Sequence, residues 1–457
     1  MLSLRPESPT HSSPAEAVAN HDELLTQILV RVEAESLVRY KCVSKHWLSL
    51  ISDPKFRDDH TLRNPNPQVS AFFFRSTRQD LSFISLHDNE NPSGSRSNPL
   101  DFIPDPRDMK ILQSCNGLLL CCSGKTRTTP RTYFIVNPTT SRFSMLPSPQ
   151  YAGYRFDHIL GIALAFDPSR TLHYKVVAVW TTGRYTKGIA IYSSETRSWS
   201  PGLNEVDLIQ GQFEVDFSHG VYCNGSIHWL THTDELFYYS IDSDSDEMPV
   251  RRGGLLPSPV RLVYDREYRY FGESSGHLHL IDIIRPCITQ FDVLELKRDR
   301  SGWFLKYRVD LDPIIKTYRP CIARSDEMLI RSDYSGWFVK YKADLNPTNY
   351  SFLEVVKGSV NQYYSFVVLS LTGEENGGDP CLLLYFPSKV ISYNLRDKTS
   401  KKLCDLAPNG DAETEGSSQV EWLESYHHMG TLARLRKMAA NEIVHVYYTM
   451  VPNKAHG

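Results

Sequence analysis

Between Leu24 and Ile51 apolar residues recur at helical spacing in three short bursts. Leu24, Leu25, Ile28, Leu29 and Val32 keep the i, i+3, i+4 rhythm of one helix face. Glu33, Ala34 and Glu35 interrupt it. A second short helix is expected to start with Ser36 as its N-cap and to carry Leu37, Val38, Tyr40, Cys42 and Val43. Ser44 suits the N-cap of a third, on which Trp47, Leu50 and Ile51 share a face, and Asp53-Pro54 is the N-cap and N1 pair of a fourth. A unit of roughly 45 residues buries a poor fraction of its own surface. Apolar residues on more than one of its faces therefore imply contact with something else. Periodicity alone fits a helical appendage of a larger domain equally well.

From Val69 onward the texture changes. Short runs of Phe, Tyr, Val, Ile and Leu alternate with Gly, Pro, Asn, Asp and Ser, an all-β pattern. Two features recur in it. A strand, a polar turn with Thr and an aromatic run from Ile135 through Thr140 to Phe143 and again from Ile191 through Thr196 to Trp199. Looser versions run from Ser240 to Met248 and from Tyr393 through Thr399 to Leu403, and the first three begin 56 and 49 residues apart. A glycine turn leading into an apolar strand occurs at Asn116-Gly117, Asn224-Gly225 and Ser275-Gly276, with glycines 108 and 51 residues apart. Asn-Gly suits a tight hairpin because both positions tolerate positive φ. A period near 50 residues with several strands per unit predicts a β-propeller, with a tandem of β-sandwiches as the alternative. Five to seven blades fit and six is the expectation. The Gly-Gly doublets fall in polar loops, at Gly253-Gly254 and Gly377-Gly378, so any kelch-type repeat is degenerate.

Residues 285–313 and 319–347 are a closer pair, identical at 15 of 29 positions and offset by 34, with Ser301-Gly302-Trp303-Phe304 repeated as Ser335-Gly336-Trp337-Phe338. Degenerate blades do not stay so alike, and a local duplication is inferred. One copy should complete a blade, and the other should add a hairpin at an edge or bulge out. Residues 1–20, rich in Ser, Pro, Glu and Ala, are expected to be a disordered tail. The expected division is 21–66 helical, 69–426 β, and an unassigned extension over 427–457, with Val420–Ser425 as the closing strand.

Composition narrows the function. The 457 residues have a formal net charge of -3, which argues against nucleic acid or a membrane surface as the main partner. Nine cysteines without a CxxC read as buried thiols in a reducing compartment, and no opening segment resembles a signal peptide or membrane span, so a soluble cytoplasmic or nuclear protein is expected. No GxSxG, HExxH or GxGxxG occurs. Gly124-Lys125-Thr126 lacks the first glycine of a P-loop, Leu119 standing there, and is read as a turn. His277 and His279 share a strand face but have no evident third ligand, and Asp242–Glu247 lacks the terminal Glu of a calcium loop. No metal, cofactor or catalytic group is therefore assigned.

The stretch from Asp22-Glu23-Leu24-Leu25 through Ile28-Leu29, Ser36-Leu37, Cys42-Val43-Ser44-Lys45 and Trp47 to Asp53-Pro54 resembles an F-box over roughly 35 positions, in order, gaps and residue types. Two departures are visible: Asn20-His21 stands where the family has Leu-Pro, and Glu33 where it has Pro. The β segments resemble the plant F-box-associated domain, which is kelch-like. Ser114–Leu119, Val136–Thr140, Tyr174–Val177, Ile191–Ser193, Gly220-Val221, His228-Trp229 and Ser335–Tyr341 match its landmarks in order. The resemblance implies an α+β multidomain protein: a three- to four-helix F-box followed by an all-β, kelch-like propeller of about six degenerate blades. It implies a non-catalytic adaptor of an SCF ubiquitin ligase that docks on a Skp-type adaptor, and through it a cullin, and recruits an unidentified target. Leu24, Leu25, Ile28, Leu29, Val32, Leu37, Val38, Cys42, Val43, Trp47 and Ile51 would be the apolar anchors and Arg39 and Lys45 the polar rim. The alternatives are a propeller enzyme or carbohydrate-binding protein with a helical appendage, and an F-box protein that acts outside the ligase.

Overall fold

The computed structural model describes residues 18–19, 21–75, 81–86, 99–103, 109–123, 131–148, 150–151, 154–155, 158–182, 186–206, 215–231, 235–241, 250–252, 266–284, 289–314, 328–331, 337–341, 366–373, 379–386, 389–405 and 424–435. The tail at 1–17, the Lys125 turn and the 242–247 acidic run lie outside them.

Four helices come first: α1 (Asp22–Leu29), α2 (Ala34–Tyr40), α3 (Lys45–Ser52) and α4 (Pro54–Arg63). Two of the expected caps form. Ser44 Oγ accepts from the Trp47 amide at 3.1 Å, and Asp53 Oδ1 accepts from Lys55 and Phe56 at 2.8 and 3.2 Å. The start of α2 differs from expectation, because it begins at Ala34 behind Glu33 rather than after Ser36. Ala34 is a strong helix former buried in the helical core, and Glu35 complements the positive end of the helix dipole. Leu25, Leu29, Leu37, Ile51 and Phe56 make that core.

The strands build a six-bladed propeller. β1 (Val69–Arg75) and β2 (Leu81–Ser85) start one sheet. Four-stranded antiparallel sheets follow: β3–β6 (Met109–Cys115, Leu118–Ser123, Thr132–Asn137, Arg142–Met145), then, after the small hairpin β7–β8 (Gln150–Tyr151, Tyr154–Arg155), β9–β12 (His158–Ala165, Lys175–Thr182, Thr186–Ser193, Ser198–Val206). Next come β13–β16 (Val221–Cys223, Ser226–Leu230, Leu236–Ser240, Val250–Arg252) and β17–β20 (Arg266–Ser274, His277–Ile284, Gln290–Leu296, Trp303–Asp310). The hairpin β21–β22 (Met328–Arg331, Trp337–Tyr341) precedes β23–β26 (Val367–Thr372, Cys381–Phe386, Lys389–Asn394, Ser400–Asp405). Finally β27 (Glu424–Met429) pairs antiparallel with β1, setting Phe73 opposite Tyr426. The first strands β3, β9, β13, β17 and β23 touch in succession, and β27 joins β23 to β3. β27, the last strand among the described residues, thus closes a ring of six inner strands, with β1 and β2 outside it.

Both recurring sequence features are blade hairpins. The glycine turns join first to second strands, and φ is positive at both central residues: 44° and 86° at Asn116-Gly117, 48° and 77° at Asn224-Gly225, 54° and 76° at Ser275-Gly276. The Thr-containing turns join third to fourth strands and put Ser141, Arg197 and Lys398 in the left-handed region. The two copies of the duplication differ: the first supplies β19 and β20 of a blade, and the described part of the second forms the hairpin β21–β22, which pairs with no blade edge among the described residues.

The closing strand is a correction. It extends to Met429, so the boundary expected after 426 falls inside it. Its register is set by the alternation of Tyr426 and His428 against Phe73, a long-range pairing that no local repeat announces. Cys115, Cys121, Cys122 and Cys223 are buried free thiols, Cys381 is half-buried and Cys42 is exposed. Among the described residues no helix is long and apolar enough to cross a membrane.

Candidate functional site

The helical unit sorts its apolar residues onto two faces. Leu25, Leu29, Leu37 and Ile51 point inward at 3% exposure or less, with Val32, Val38 and Trp47 half-buried against them. Leu24 and Ile28, one turn apart on α1, are 45% and 50% exposed, and Val43 after α2 is 60% exposed. Cys42, Arg39 and Lys45 are exposed as well. Thirteen expected anchor and rim positions therefore separate into an outward set (Leu24, Ile28, Arg39, Cys42, Val43, Lys45), a core set (Leu25, Leu29, Leu37, Ile51) and a half-buried set (Val32, Val38, Trp47). Tyr40 and Leu48, 39% and 46% exposed, join the outward face although they were not expected there. No sequence signal set Leu48 apart, because it stands i, i+3 from the inward Ile51. Tyr40 packs edge-on against Trp47, with centroids 5.8 Å apart.

The helices are fastened to the propeller by the chain that follows β27. Leu432 is fully buried in the helical core, between α1 and α4 residues. Arg57 of α4 donates to its carbonyl from Nε and Nη2 at 3.2 and 3.0 Å, and Arg434 pairs with Asp58 through both guanidinium arms at 2.6 and 2.5 Å. On the propeller side, Asn137 donates to the carbonyls of Thr431 and Ala433 at 3.1 and 2.9 Å. Glu35 of α2 accepts from Ser70 at 2.5 Å and lies 3.3 Å from His428 of β27. The hydrogen bond from His428 outweighs the effect of burial, and with Ser70 it holds the Glu35 carboxyl down at about 2. No helical periodicity marks residues 430–435, and their role could not be read from the sequence.

Inner strands and their turns line a cavity of about 430 Å³ on the propeller axis, which carries Asp167, His219, Glu273 and His427. A propeller enzyme would gather such groups. Among the described residues no three of His, Cys, Asp and Glu stand close enough to share a metal ion. His427 is engaged with Ser370 at 2.5 Å, and burial pushes its pKa down to about 4. The strand-face pair His277 and His279 does find an acid, which the sequence did not reveal. Glu295, its neighbour on β19, lies 3.3 and 3.1 Å from their ring nitrogens and 2.6 Å from Lys306 Nζ. Burial pushes the Glu295 carboxyl up, but the bonds from His279 and Lys306 prevail and hold it at about 2.

Comparison with known proteins matches residues 21–59 to the F-box domain and 72–248 to the F-box associated beta propeller domain. The F-box protein At5g07610 of Arabidopsis thaliana is 32% identical over 419 residues, covering 86% of this chain and 88% of that one. The chain belongs to the F-box proteins with an F-box-associated propeller. A second Arabidopsis relative, F-box protein At5g49610, is 28% identical over 57% of this F-box protein and 71% of its own length. Among solved structures TolB from Acinetobacter baumannii matches at a TM-score of 0.37 and 12% identity, over 80% of this chain and 67% of that one. The family's two missing prolines do not distort this F-box. His21 caps α1, its Nδ1 accepting from the Leu24 amide at 3.4 Å, and Glu33 sits at φ -55°, inside the range proline imposes.

Proposed function

We propose that this F-box protein is a substrate-recognition subunit of an SCF-type ubiquitin ligase and performs no chemistry itself. Its F-box docks on the Skp-type adaptor, and through it on a cullin. The propeller presents a target protein, holding it near the charged conjugating enzyme and so lowering the entropic barrier to transfer. Work in the cytoplasm or nucleus follows from that role.

One observation carries the reading. Among the described residues, the exposed large apolar side chains are Leu24, Ile28, Tyr40, Val43, Leu48 and Leu62 in the helical unit and only Phe304 and Leu305 in the propeller. A helical unit already packed on its own core and on a propeller has no internal need for such a surface, which marks an interaction site. Tyr40 and the half-buried Trp47 are of the types that anchor interfaces.

The test is co-purification with a Skp-type adaptor. Ile28→Asp puts a charge on the outward face and should abolish binding while circular dichroism stays unchanged. Leu29→Asp, one residue on, buries its charge in the helical core and should lose the fold itself. Wild type that binds no adaptor, or Ile28→Asp that binds as well as wild type, refutes the reading.

A further inference from the structure

We propose that the cleft between the β17–β20 and β23–β26 blades is an oxyanion-binding site. It is a cavity of about 220 Å³, and its polar lining comprises Ser274, Ser275, His277, His279, Arg298 and Lys306. Leu371 and Gly373 of the next blade form its other wall. Ser274, Ser275, Leu371 and Gly373 also line a neighbouring cavity of about 270 Å³ that runs along Asn66 and Pro67, the link out of the F-box. The cleft thus opens on the end of the propeller that carries the F-box.

The charge count decides what it takes. Lys306 Nζ at 2.6 Å and the two histidine rings at 3.3 and 3.1 Å stand against one carboxylate, Glu295, whose side chain is 7% exposed, so its single negative charge answers Lys306 and leaves the Arg298 charge in the cleft lining uncompensated by it. Because that carboxylate is held ionised, the ring nitrogens facing it, Nδ1 of His277 and Nε2 of His279, carry protons. The ring nitrogen opposite the carboxylate-facing one can meet an anion only as an N–H donor, so an oxyanion is held with a proton on that nitrogen. That of His279, Nδ1, is buried without a hydrogen-bond partner among the described residues. Two histidines oriented by a carboxylate are also how proteins offer imidazoles to a metal. Here Lys306 and Arg298 line the same cleft, and their positive charge repels a divalent cation and attracts an anion. The seryl hydroxyls at the Ser274-Ser275 turn add neutral donors of the kind that complete an oxyanion's shell. A phosphate ester and a carboxylate share this chemistry, and either can be carried by a bound protein segment. As a subsite for a target, the cleft rests on the ligase reading; as an anion site it stands without it.

The experiment uses the full chain with ring-labelled histidine, titrated with inorganic phosphate at constant ionic strength. His277 and His279 resonances should shift saturably. Arg298→Glu, at an exposed position that leaves the Glu295 cluster intact, should raise the midpoint by about tenfold or more, the loss expected for one charge-assisted bond. Competition by a phosphoserine peptide at lower concentration than acetate identifies a phosphate ester, and the reverse order a carboxylate. The absence of a saturable shift, or an unchanged midpoint in Arg298→Glu, overturns the site. Adaptor co-purification of the same samples separates the two readings. Phosphate binding without adaptor binding defeats the ligase reading alone, and adaptor binding without phosphate binding defeats the anion site alone.

Discussion

Arg57 in the last F-box helix donates twice to the backbone carbonyl of Leu432, 375 residues further along the chain. The contact makes the segment after the closing strand a structural part of the F-box, because the Leu432 side chain completes the core built by Leu25, Leu29 and Leu37. Leu432→Ala should therefore cost about 2–5 kcal/mol, the usual loss for emptying such a site. The measurement is hydrogen exchange: protection should fall across α1–α4 while β9–β12 keep theirs. Equal loss in both regions would mean that F-box and propeller unfold as one unit.

Glu35 makes the same junction sensitive to acid. Its carboxyl titrates at about 2 instead of the ordinary 4.5, so it adds stability that is fully present above the ordinary value. As pH falls from about 4.5 towards 2 that contribution disappears, because the proton enters the unfolded chain first. Exchange protection of α2 should decline over this window in wild type and be nearly flat in Glu35→Gln, which keeps a side chain able to bond but cannot titrate. Glu295 titrates equally low within its blade, so the comparison must be made on α2 and not on global unfolding.

How much of this was legible follows from what is local. Ser44 and Asp53 announce their helices because a cap is made within three residues, and the Asn-Gly turns announce hairpins because positive φ is a property of two neighbours. Repetition of those hairpins at about 50 residues then revealed the propeller. The division of Leu24 from Leu25, or Ile28 from Leu29, was not legible, since one helical stripe wide enough for both cannot say which edge meets the core. Nor was the docking of Leu432 and Arg434, or the meeting of His279 with Glu295. Those depend on strand register and ring closure, which no window of sequence contains.

The Asn-Gly turns also bind blades together, which a hairpin reading does not anticipate. Asn116 donates to the Phe166 carbonyl at 2.7 Å and Asn224 to that of Gly276 at 2.8 Å, each reaching the next blade. Asn116→Gly keeps the positive φ and loses only the bond, for about 0.5–1.5 kcal/mol. Asn116→Ala loses the bond and also strains the left-handed backbone, for roughly 1–2 kcal/mol more. Urea denaturation should rank wild type above Asn116→Gly, and that above Asn116→Ala. Equal losses in the two variants would show that the turn conformation is not what selects asparagine.

Glu33 offers the converse test, because here the family's usual residue can be restored. The backbone already holds φ -55° and an extended ψ of 143°, and the helix begins at the next residue. Proline matches the φ and ψ that residue 33 already holds, would forfeit no Glu33 amide bond found among the described residues, and would remove conformations from the unfolded state. Glu33→Pro should stabilise the F-box by about 0.4–1 kcal/mol, read as slower exchange in α2. The outward face of Leu24, Ile28 and Val43 lies on α1 and beyond α2, so adaptor binding should be retained. If Glu33→Pro instead bound much more tightly than its stability gain allows, proline would itself be a contact, and its absence here would be a genuine weakening of the docking face.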